Sequence, residues 1–569
     1  MALQGLVDWR GRPVNKKRHG GVKASLFIHI LVVMANIANL PMIFNLVSYL
    51  LGTMHMDVKE ASTTSTNFFG AFCFFSILGA FISDSYIKRF YTILIFAPLE
   101  IMANMQGYVL LACQAHFPSL HPPPCDMINN PSECTPVSGR NKSLLTLGLY
   151  LIPIGESSMR ACAAALGGDQ FDDDDPADRA ARQGQLLQLD KGWSLGFTVT
   201  SVMVLVGVVG VGVGLPFYRH RKPTGSPVTR ILQVFVAVFR KRRLPLPENV
   251  MELHDVMDDG TGMESIERTA GFRFLEKAAV DDGGERGPWS LCTVTQVEEA
   301  KIIIRMIPIF LSSILAYIPL SLLLALTVQQ GAIMDTRLGG ISIPPGSLFI
   351  VAVVFQMVFL VVYDRAVVPC LRRATGYAGG VGHLQRVGVG FVSSAVALAT
   401  AAVVEGYRRR RALAGDPPSS AFLLTPQFFA IGVMDVTSFV GLLEFFSSEA
   451  SPGMKSIGSS ILFCVLGIGS WLGSLLIHVV NRATKHRSGG HGWLDGASLN
   501  AGRLDLFYWL LALLGLVAFF LYMLCAWTYT YRHDPRMQTT MDDEKVSTPA
   551  STKQSPVDAN LPRLPRLRQ

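Results

Sequence analysis

Some of the charged residues lie inside long apolar stretches, where an ion is costly in lipid and therefore marks a candidate functional site. Glu156 and Arg160 are four residues apart with the acid first, so on a helix they share one face. Such a pair can hold a solute ion or take part in proton transfer, or it can be a self-contained structural ion pair. Asp435 lies in the middle of its stretch and could bind a solute amine or hydroxyl or carry a proton. Glu100 is a further candidate of the same kind.

The stretches that contain these residues have the length of membrane-spanning helices. Each is about 19 residues or longer, enough to cross a bilayer core of roughly 30 Å. Hydrophobic residues make up 50% of the 569 residues and charged residues only 16%, whereas a soluble protein of this size needs more surface charge. The sequence therefore predicts an all-α polytopic membrane protein with eleven visible spans. They run near 26–50, 64–84, 91–113, 143–166, 192–217, 302–328, 346–369, 387–405, 423–446, 456–480 and 505–530.

Two basic segments conflict with this odd number of spans. Lysine and arginine hold loops on the cytosolic side of a membrane. They are concentrated before the first span, at Lys16, Lys17, Arg18 and Lys23, and after the fifth span, within 219–243. Five crossings would put these segments on opposite sides, so one crossing is missing, miscounted or overridden. The net charge of +8 thus reflects topology rather than nucleic-acid binding.

Polar segments divide the chain into five parts. They are a cytosolic N-terminus (1–25), a first helical bundle (26–217), a cytosolic linker (218–301), a second helical bundle (302–530) and a disordered cytosolic tail (531–569). In the linker, Ile231, Leu232, Phe235, Val238 and Phe239 recur at helical spacing before a basic run. This pattern predicts an interfacial helix on the inner leaflet.

Little in the sequence supports an enzyme or a metal site. The acids at 172–175 could hold Mg²⁺ and a diphosphate, but we find no second acidic motif to face them and no nucleophile–base pair. The cysteines follow no metal-ligand spacing, so we predict no metal and no cofactor. Cys125 and Cys134 share a proline-rich loop and could form a disulfide if that loop faces outside.

Other residues are expected to be structural. Glu444 lies near a helix end and is expected to pair with a base such as Lys455. Gly467, Gly469 and Gly473 follow a small-residue spacing that predicts close helix contacts rather than chemistry.

Loop motifs resemble those of known transporters. Between the second and third spans, Gly79, Asp84 and Arg89 form a glycine–acid–base turn that resembles the loop signature of the major facilitator superfamily, where the acid latches one state. After the fourth span, Asp169-Gln170-Phe171-Asp172 resembles the plant nitrate transporter/peptide transporter family, a branch of the proton-coupled oligopeptide transporters. Further motifs match in order over nearly the whole chain, among them Pro122-Pro-Pro-Cys125, Phe272-Arg-Phe-Leu-Glu-Lys277, Gln296-Val-Glu-Glu-Ala-Lys301 and Tyr363-Asp-Arg365.

The resemblance implies twelve spans in the two-bundle fold of the major facilitator superfamily, with a solute site between the bundles. In the family the Asp-Gln-Phe-Asp loop leads into a fifth span, whereas residues 177–191 here are polar and too short to cross. The resemblance thus implies that the fifth of twelve spans is missing, and restoring it returns both basic segments to the cytosol. Arg160 falls where the family commonly has a cation facing the cavity, and Asp435 where it usually has glutamate.

Two departures from the family bear on mechanism. Its first span commonly has two glutamates and a base tied to proton coupling, but this chain has Val32, Ala35 and Asn36 there, none of which takes up a proton near neutral pH. We then expect that proton coupling of transport either depends on the other intramembrane acids or is lost. Nitrate-transporting members can have a histidine in the seventh span, where this chain has Leu320 in an apolar run, so nitrate is disfavoured.

We therefore expect a secondary transporter that moves a small organic solute by alternating access, and not an enzyme. An apolar cavity with one or two cations suits a hydrophobic carboxylate such as gibberellin or abscisic acid better than nitrate or a dipeptide. The alternative is a non-transporting or regulatory isoform, since losing one helix exposes packing faces to lipid. The expected partners are the solute, protons and the bilayer, without nucleic acid; the oligomeric state stays open. The plasma membrane is the first expected location and the vacuolar membrane the second.

Overall fold

The computed structural model describes much of both predicted bundles and part of the linker. It covers residues 6–7, 19–85, 103, 106–123, 134–168, 202, 205–207, 209–210, 212–218, 220–221, 226–246, 253–254, 268–269, 271–281, 283, 287–338, 341–343, 345–376, 380–450, 455–485, 492–495, 499–500 and 502–531. For some of these residues, including Asp84, Arg160 and Lys455, only the backbone is described.

The first half is built from long helices joined by short turns. They are α1 (Gly21–Gly52), α2 (Val58–Phe74), α3 (Ser76–Ser85), a helical segment at 106–116 and α4 (Gly139–Gly168). Asp57 starts α2, because its side chain accepts a hydrogen bond of 2.6 Å from the Glu60 amide. The helices share an apolar core that includes Leu46, Phe68 and Leu149.

The linker is a small folded layer with its own core. Strands β1 (Leu6–Val7) and β2 (His220–Arg221) pair antiparallel, and α5 (Pro227–Arg240) follows, capped by Ser226. A 3₁₀ segment, Arg273–Ala279, packs beside α5. The buried residues of this layer include Val234, Leu275 and Ala300, the last of which belongs to the first helix of the second half. The linker layer is thus joined to that helix by apolar packing.

The second half consists of six helical spans. They are α6 (Val294–Ala332); Pro345–Thr375, which includes α7 (Phe349–Val362), a π-helical segment (Tyr363–Val367) and α8 (Val368–Thr375); α9 (His383–Leu413); Ala421–Glu449, which includes α10 (Thr425–Met434), a second π-helical segment (Asp435–Phe439) and α11 (Val440–Glu449); α12 (Lys455–Lys485); and α13 (Leu504–Trp527). A two-residue hairpin of β3 (Arg337–Leu338) and β4 (Ile341–Ser342) follows α6.

Within the described residues, seven helical segments are long and apolar enough to cross a membrane. They are the six spans of the second half, of which the fifth is counted from Ser460, and Val58–Ile82 of the first half. The prediction of an all-α, multi-pass membrane protein is confirmed. α1, α4 and the helical residues at 106–116 and between 202 and 214 overlap the other four predicted spans. The stretch at 177–191, where the fifth of twelve spans was predicted to be missing, lies outside the described residues.

α12 packs closely against both halves through its glycines. A Cβ atom built on Gly467 would lie 2.8 Å from the Gly70 carbonyl oxygen, and one built on Gly473 would lie 3.1 Å from Ser321 Oγ. Gly469 similarly approaches Tyr317, with 3.3 Å between a built Cβ and the Tyr317 Cβ. The prediction that these glycines serve helix contacts is confirmed, because a side chain at Gly467 would collide with α2.

We expect Gly467→Ala to destabilise the protein, because the added methyl group forces α2 and α12 apart at a cost of about 1–3 kcal/mol. The thermal midpoint of the purified full chain in detergent should fall by several degrees. Gly406→Ala is the matched control: it lies in α9, and a Cβ built there meets nothing within 4 Å. That change should be neutral or stabilising by about 0.5–1 kcal/mol. Equal midpoints for the two variants would show that the glycine contact is not tight.

The two halves also meet near the end of the molecule that the basic segments predict to be extracellular. Gln329 Nε2 of α6 donates to Ser62 Oγ of α2 at 2.7 Å. The ring of Phe44 in α1 stacks on Phe349 in α7, with centroids 4.4 Å apart. These contacts hold the halves together at this end.

Candidate functional site

Asp435 is the first residue of a π-helical segment in the middle of the Ala421–Glu449 span. A π-helical insertion disturbs the regular hydrogen bonding of a helix and is frequent at functional sites. Asp435 is only partly buried, and no described residue donates a hydrogen bond to its carboxylate or forms an ion pair with it. A carboxylate held this way in a membrane span is available to a proton or a solute.

Hydroxyl groups from neighbouring helices lie beside this segment. Tyr317 of α6 is fully buried, and its hydroxyl oxygen lies 3.4 Å from Ser438 Oγ. Tyr317 also interacts electrostatically with Asp435. α9 comes close because Gly390 has no side chain: a Cβ there would lie 2.5 Å from the Ser438 Cβ. The acid, the serine and the tyrosine thus form a polar group surrounded by the apolar core of the second half.

Arg386 at the start of α9 connects the two π-helical segments. Its Nη2 donates to the Val436 carbonyl oxygen at 2.7 Å, next to Asp435 in the chain. Its guanidinium lies 4.9 Å from the ring centroid of Tyr363, in the other π-helical segment. Its Nη1 donates to Glu444 Oε2 at 2.8 Å. One planar cation therefore fixes the backbone beside Asp435 relative to the Tyr363–Val367 segment and α11.

Glu444 is paired with bases that the sequence did not single out. Besides Arg386, His383 approaches it, with Nδ1 3.5 Å from Oε2. The side chain of Lys455 lies outside the described residues, so its predicted pairing with Glu444 stays a prediction. Arg386 was missed because it stands at a span boundary, where a basic residue is ordinarily a topology signal.

A second polar cluster lies in the first half. Glu156 is buried in α4, three residues after a proline within the helix. It interacts electrostatically with Tyr108, whose hydroxyl donates to Asn39 Oδ1 of α1 at 2.7 Å. Asn39 lies one turn beyond Ala35 and Asn36, the positions at which the sequence departs from the family. Neither Asn39 nor Tyr108 was predicted, because neutral polar residues in an apolar stretch give no charge signal.

The remaining predicted site residues are described in part or not at all. Gly79 is buried in α3, Asp84 and Arg160 are described only as helical backbone, and Cys134 is disulfide-bonded. The cysteine that pairs with it is not described. Outside the described residues lie Arg89, Glu100, Cys125, Asp169, Gln170, Phe171 and Asp172. Among the described residues, no group of three or more His, Cys, Asp or Glu side chains is placed to hold a metal ion.

Two of the matched motifs, at 272–277 and 296–301, meet in the linker layer. Lys301 of α6 is fully buried, and its Nζ lies 2.8 Å from Glu276 Oε1 and 2.7 Å from Glu298 Oε1. Arg268 pairs with the other oxygen of Glu276 at 2.6 Å. Burial alone would raise the pKa of Glu276, but the hydrogen bonds and charges of Arg268 and Lys301 outweigh burial and lower it. This network fastens the linker to the start of α6.

We expect Arg386→Gln to raise the KM for solute uptake by roughly tenfold, because the backbone beside Asp435 loses a charged hydrogen bond. The KM of Arg386→Lys should lie between those of the unchanged protein and Arg386→Gln. Lysine keeps the positive charge, but it cannot stack on an aromatic ring and donate hydrogen bonds in two directions at once. Initial uptake rates over a range of solute concentrations and external pH values separate KM from the maximal rate. Arg372→Gln, at an exposed arginine of α8, is the control. If Arg386→Gln lowered only the amount of protein and left KM and the pH profile unchanged, Arg386 would be merely structural.

Comparisons with known proteins agree with this architecture. The family model described as PTR2: POT family matches residues 90–182 and 183–494. The protein NRT1/PTR FAMILY 4.3 of Arabidopsis thaliana is 34% identical over 550 residues, with 92% of each chain covered. The solved structure of an auto inhibited POT family peptide transporter has the same fold, with a TM-score of 0.60, 16% identity and coverage of 89% of this chain and 97% of that one.

A second solved structure extends the fold match. It is a POT family transporter in complex with 5-aminolevulinic acid, with a TM-score of 0.55, 11% identity and coverage of 89% of this chain and 96% of that one. The resemblance inferred from the loop motifs is confirmed, as is the major facilitator superfamily-like fold. The chain belongs to the POT family and is a multi-pass membrane transporter.

Proposed function

We propose that this transporter moves a small, mostly hydrophobic carboxylate by alternating access and that a proton on Asp435 accompanies it. The observation that carries the proposal is the partly buried Asp435 carboxylate, to which no described residue donates. An acid without a permanent cation beside it can gain and lose a proton as the surrounding space opens to either side of the membrane. The hydroxyl oxygens of Tyr317 and Ser438, 3.4 Å apart, place two further polar groups beside this acid.

The apolar composition of α6 favours a hydrophobic solute. From Pro319 to Leu326, α6 has one polar side chain, Ser321, whose hydroxyl donates to the Ile318 carbonyl oxygen at 3.0 Å. A span of this composition suits the ring system of a gibberellin or of abscisic acid, which the family also carries, better than a polar solute. The carboxylate of the solute needs a cation, for which Arg160 on α4 is our candidate. A fixed positive charge with an apolar surround suits an organic anion better than nitrate, which lacks an apolar part.

The alternative substrate class has an amine. One structural relative holds 5-aminolevulinic acid, a small amino acid, and others are peptide transporters. Asp435 could pair with such an amine instead of carrying a proton. Amine-bearing solutes should then compete with each other and lose affinity when Asp435 is neutralised.

Uptake of labelled solutes tests the proposal. The full chain would be expressed in oocytes, and uptake of abscisic acid, a gibberellin, nitrate and a dipeptide would be compared at external pH values of about 5.5 and about 7.5. We expect hormone acids to enter faster than nitrate or dipeptide and faster at the lower pH. Nitrate or dipeptide uptake at an equal rate would overturn the assignment. A fluorescent fusion in plant cells would locate the protein, for which we propose the plasma membrane before the vacuolar membrane.

A second candidate is a non-transporting or regulatory isoform that lacks one helix. It is favoured by the break in the family match between residues 182 and 183, within the polar stretch at 177–191. The alignment with NRT1/PTR FAMILY 4.3 covers 92% of this 569-residue chain, yet it is 550 positions long. The alignment therefore contains more positions than this chain fills. Both facts support a gap in this chain relative to the family.

Cysteine labelling at 220–245 in intact cells distinguishes the two candidates. Protection from an impermeant reagent would mean that the linker is cytosolic and that a working carrier remains. Labelling from outside would mean that the second half is inverted, which supports the non-transporting isoform. Labelling after permeabilisation is the control for reagent access.

A further inference from the structure

α5 has two apolar faces, where the sequence predicted one. Val234 and Ala237 are fully buried against the linker core, with Ile231 and Val238 packed beside them. A second set points away from the protein. It consists of Val228, Leu232, Phe235 and Phe239, which are 43%, 51%, 41% and 68% exposed. Their spacing of four, three and four residues places them in one stripe on the side opposite the buried residues. The predicted single face from Ile231 to Phe239 is therefore wrong in detail, because its members divide between the core and the outer face.

Ionic and backbone contacts fix which face of α5 points outward. Arg230 lies on the inner side, with Nη2 3.4 Å from Glu299 Oε1 of α6. Lys241, just after the helix, donates from Nζ to the Val280 carbonyl oxygen at 2.6 Å. Because both ends are held, α5 cannot rotate to bury its outer stripe. The stripe remains available to a partner outside the described fold.

The position of α5 along α6 brings this stripe to the level of lipid headgroups. α5 packs in the cluster that contains Val297 and Ala300 of α6. Farther along α6, the first strongly exposed apolar side chains are Ile307 and Leu311, as expected where a helix enters lipid. From Ala300 to Ile307 the helix rises by about 10 Å. The polar headgroup layer on one side of a bilayer is of similar thickness, about 5–8 Å.

Exposed arginines surround the end of the stripe. Arg240, Arg242 and Arg243 are all exposed, and the Arg242 guanidinium lies 4.7 Å from the ring centroid of Phe239. Arg240 reaches the Trp289 carbonyl oxygen at 3.4 Å, and the Trp289 ring is itself exposed, as is common for tryptophan at a membrane interface. We propose that this surface, the outer stripe of α5 with Arg240, Arg242 and Arg243, binds anionic phospholipid headgroups of the leaflet that faces the linker. Cationic groups bind the phosphates while the stripe enters the acyl boundary.

Lipid binding by the purified full chain tests the proposal independently of transport. The protein would be titrated with phosphatidylglycerol, which is anionic, and with phosphatidylcholine, which is zwitterionic, and bound lipid would be counted by native mass spectrometry. We expect preferential binding of phosphatidylglycerol and a roughly tenfold loss of that binding in the double variant Arg242→Gln/Arg243→Gln. Arg337→Gln/Arg410→Gln removes two exposed arginines elsewhere and should leave binding unchanged. Phe239→Ser should weaken the binding of both lipids.

Three results would overturn the proposal. The first is equal binding of the two lipids, and the second is an equal loss in both double variants. The third concerns another occupant, the chain's own C-terminal segment. If a chain truncated after Tyr531 bound far more phosphatidylglycerol than the full chain, the segment and not lipid would cover the stripe.

Discussion

Asp435→Asn is expected to abolish proton-driven accumulation of the solute, lowering net uptake by roughly tenfold or more. Asparagine has nearly the shape of aspartate but cannot exchange a proton near neutral pH. The fold should persist, because within the described residues the Asp435 carboxylate makes no hydrogen bond that the change would break. Uptake into proteoliposomes with an imposed pH gradient measures the effect, with the thermal midpoint as a check on folding.

Exchange without a gradient distinguishes a proton carrier from a solute ligand. If Asp435 carries the proton, the Asp435→Asn variant should still exchange labelled for unlabelled solute across the membrane. If it binds the solute, exchange should fail as well. Asp435→Glu is the matched control, since it keeps a carboxyl group and matches the residue usual in the family. Undiminished gradient-driven uptake by Asp435→Asn would show that coupling lies elsewhere or is absent.

Lys301→Met is expected to cause the largest loss of stability, on the order of 3–5 kcal/mol, because it leaves two buried carboxylates without their shared cation. Lys301 is fully buried and bonds Glu276, Glu298 and the Thr269 carbonyl oxygen. Thermal unfolding of the purified chain would show a lower midpoint. The triple variant Glu276→Gln/Glu298→Gln/Lys301→Met should recover part of the loss, since it removes both buried carboxylate charges together with the cation.

An exposed ion pair provides the control. Lys142 pairs with Glu60 near the surface of the first half, where both side chains are substantially exposed. Lys142→Met should cost no more than about 1 kcal/mol, so equal midpoints for the two methionine variants would refute a special role for burial. Acid adds a second test, because the pKa of Glu276 is lower in the folded protein. The contribution of Glu276 to the free energy of unfolding is fully present above its unfolded pKa of about 4.3. This contribution is lost as the pH falls below that value towards the folded pKa.

Prediction from the sequence worked where a single segment carries the signal. The apolar stretches from 302 to 530 correspond to the six described spans of the second half, since length and hydropathy suffice to define a membrane helix. The glycines at 467, 469 and 473 were assigned correctly because small residues at helical spacing have few other uses in a membrane. The family followed from ordered motifs, and the comparisons confirm it.

Prediction failed where function depends on contacts between distant segments. The motifs holding Glu276 and Lys301 were both noticed, but nothing local says that their side chains meet. Arg386 was overlooked because its partners, Val436 and Glu444, belong to another span. The π-helical segment at Asp435 also has no local sequence signature, so its backbone distortion could not be foreseen. The outer stripe of α5 was misassigned because helical periodicity gives two apolar faces without saying which one the protein core covers.

Trp471 occupies the seam between the two halves, where its indole nitrogen donates to the Asn67 carbonyl oxygen at 3.3 Å and its ring lies 4.9 Å from that of Phe74. α2 supplies Asn67 and Phe74, whereas Trp471 belongs to α12. Any relative rocking of the halves must therefore change the surroundings of this indole. The chain contains seven tryptophans, so the part of its fluorescence that Trp471→Phe removes reports on this position. A shift of that part on solute addition would signal the conformational cycle without any attached label.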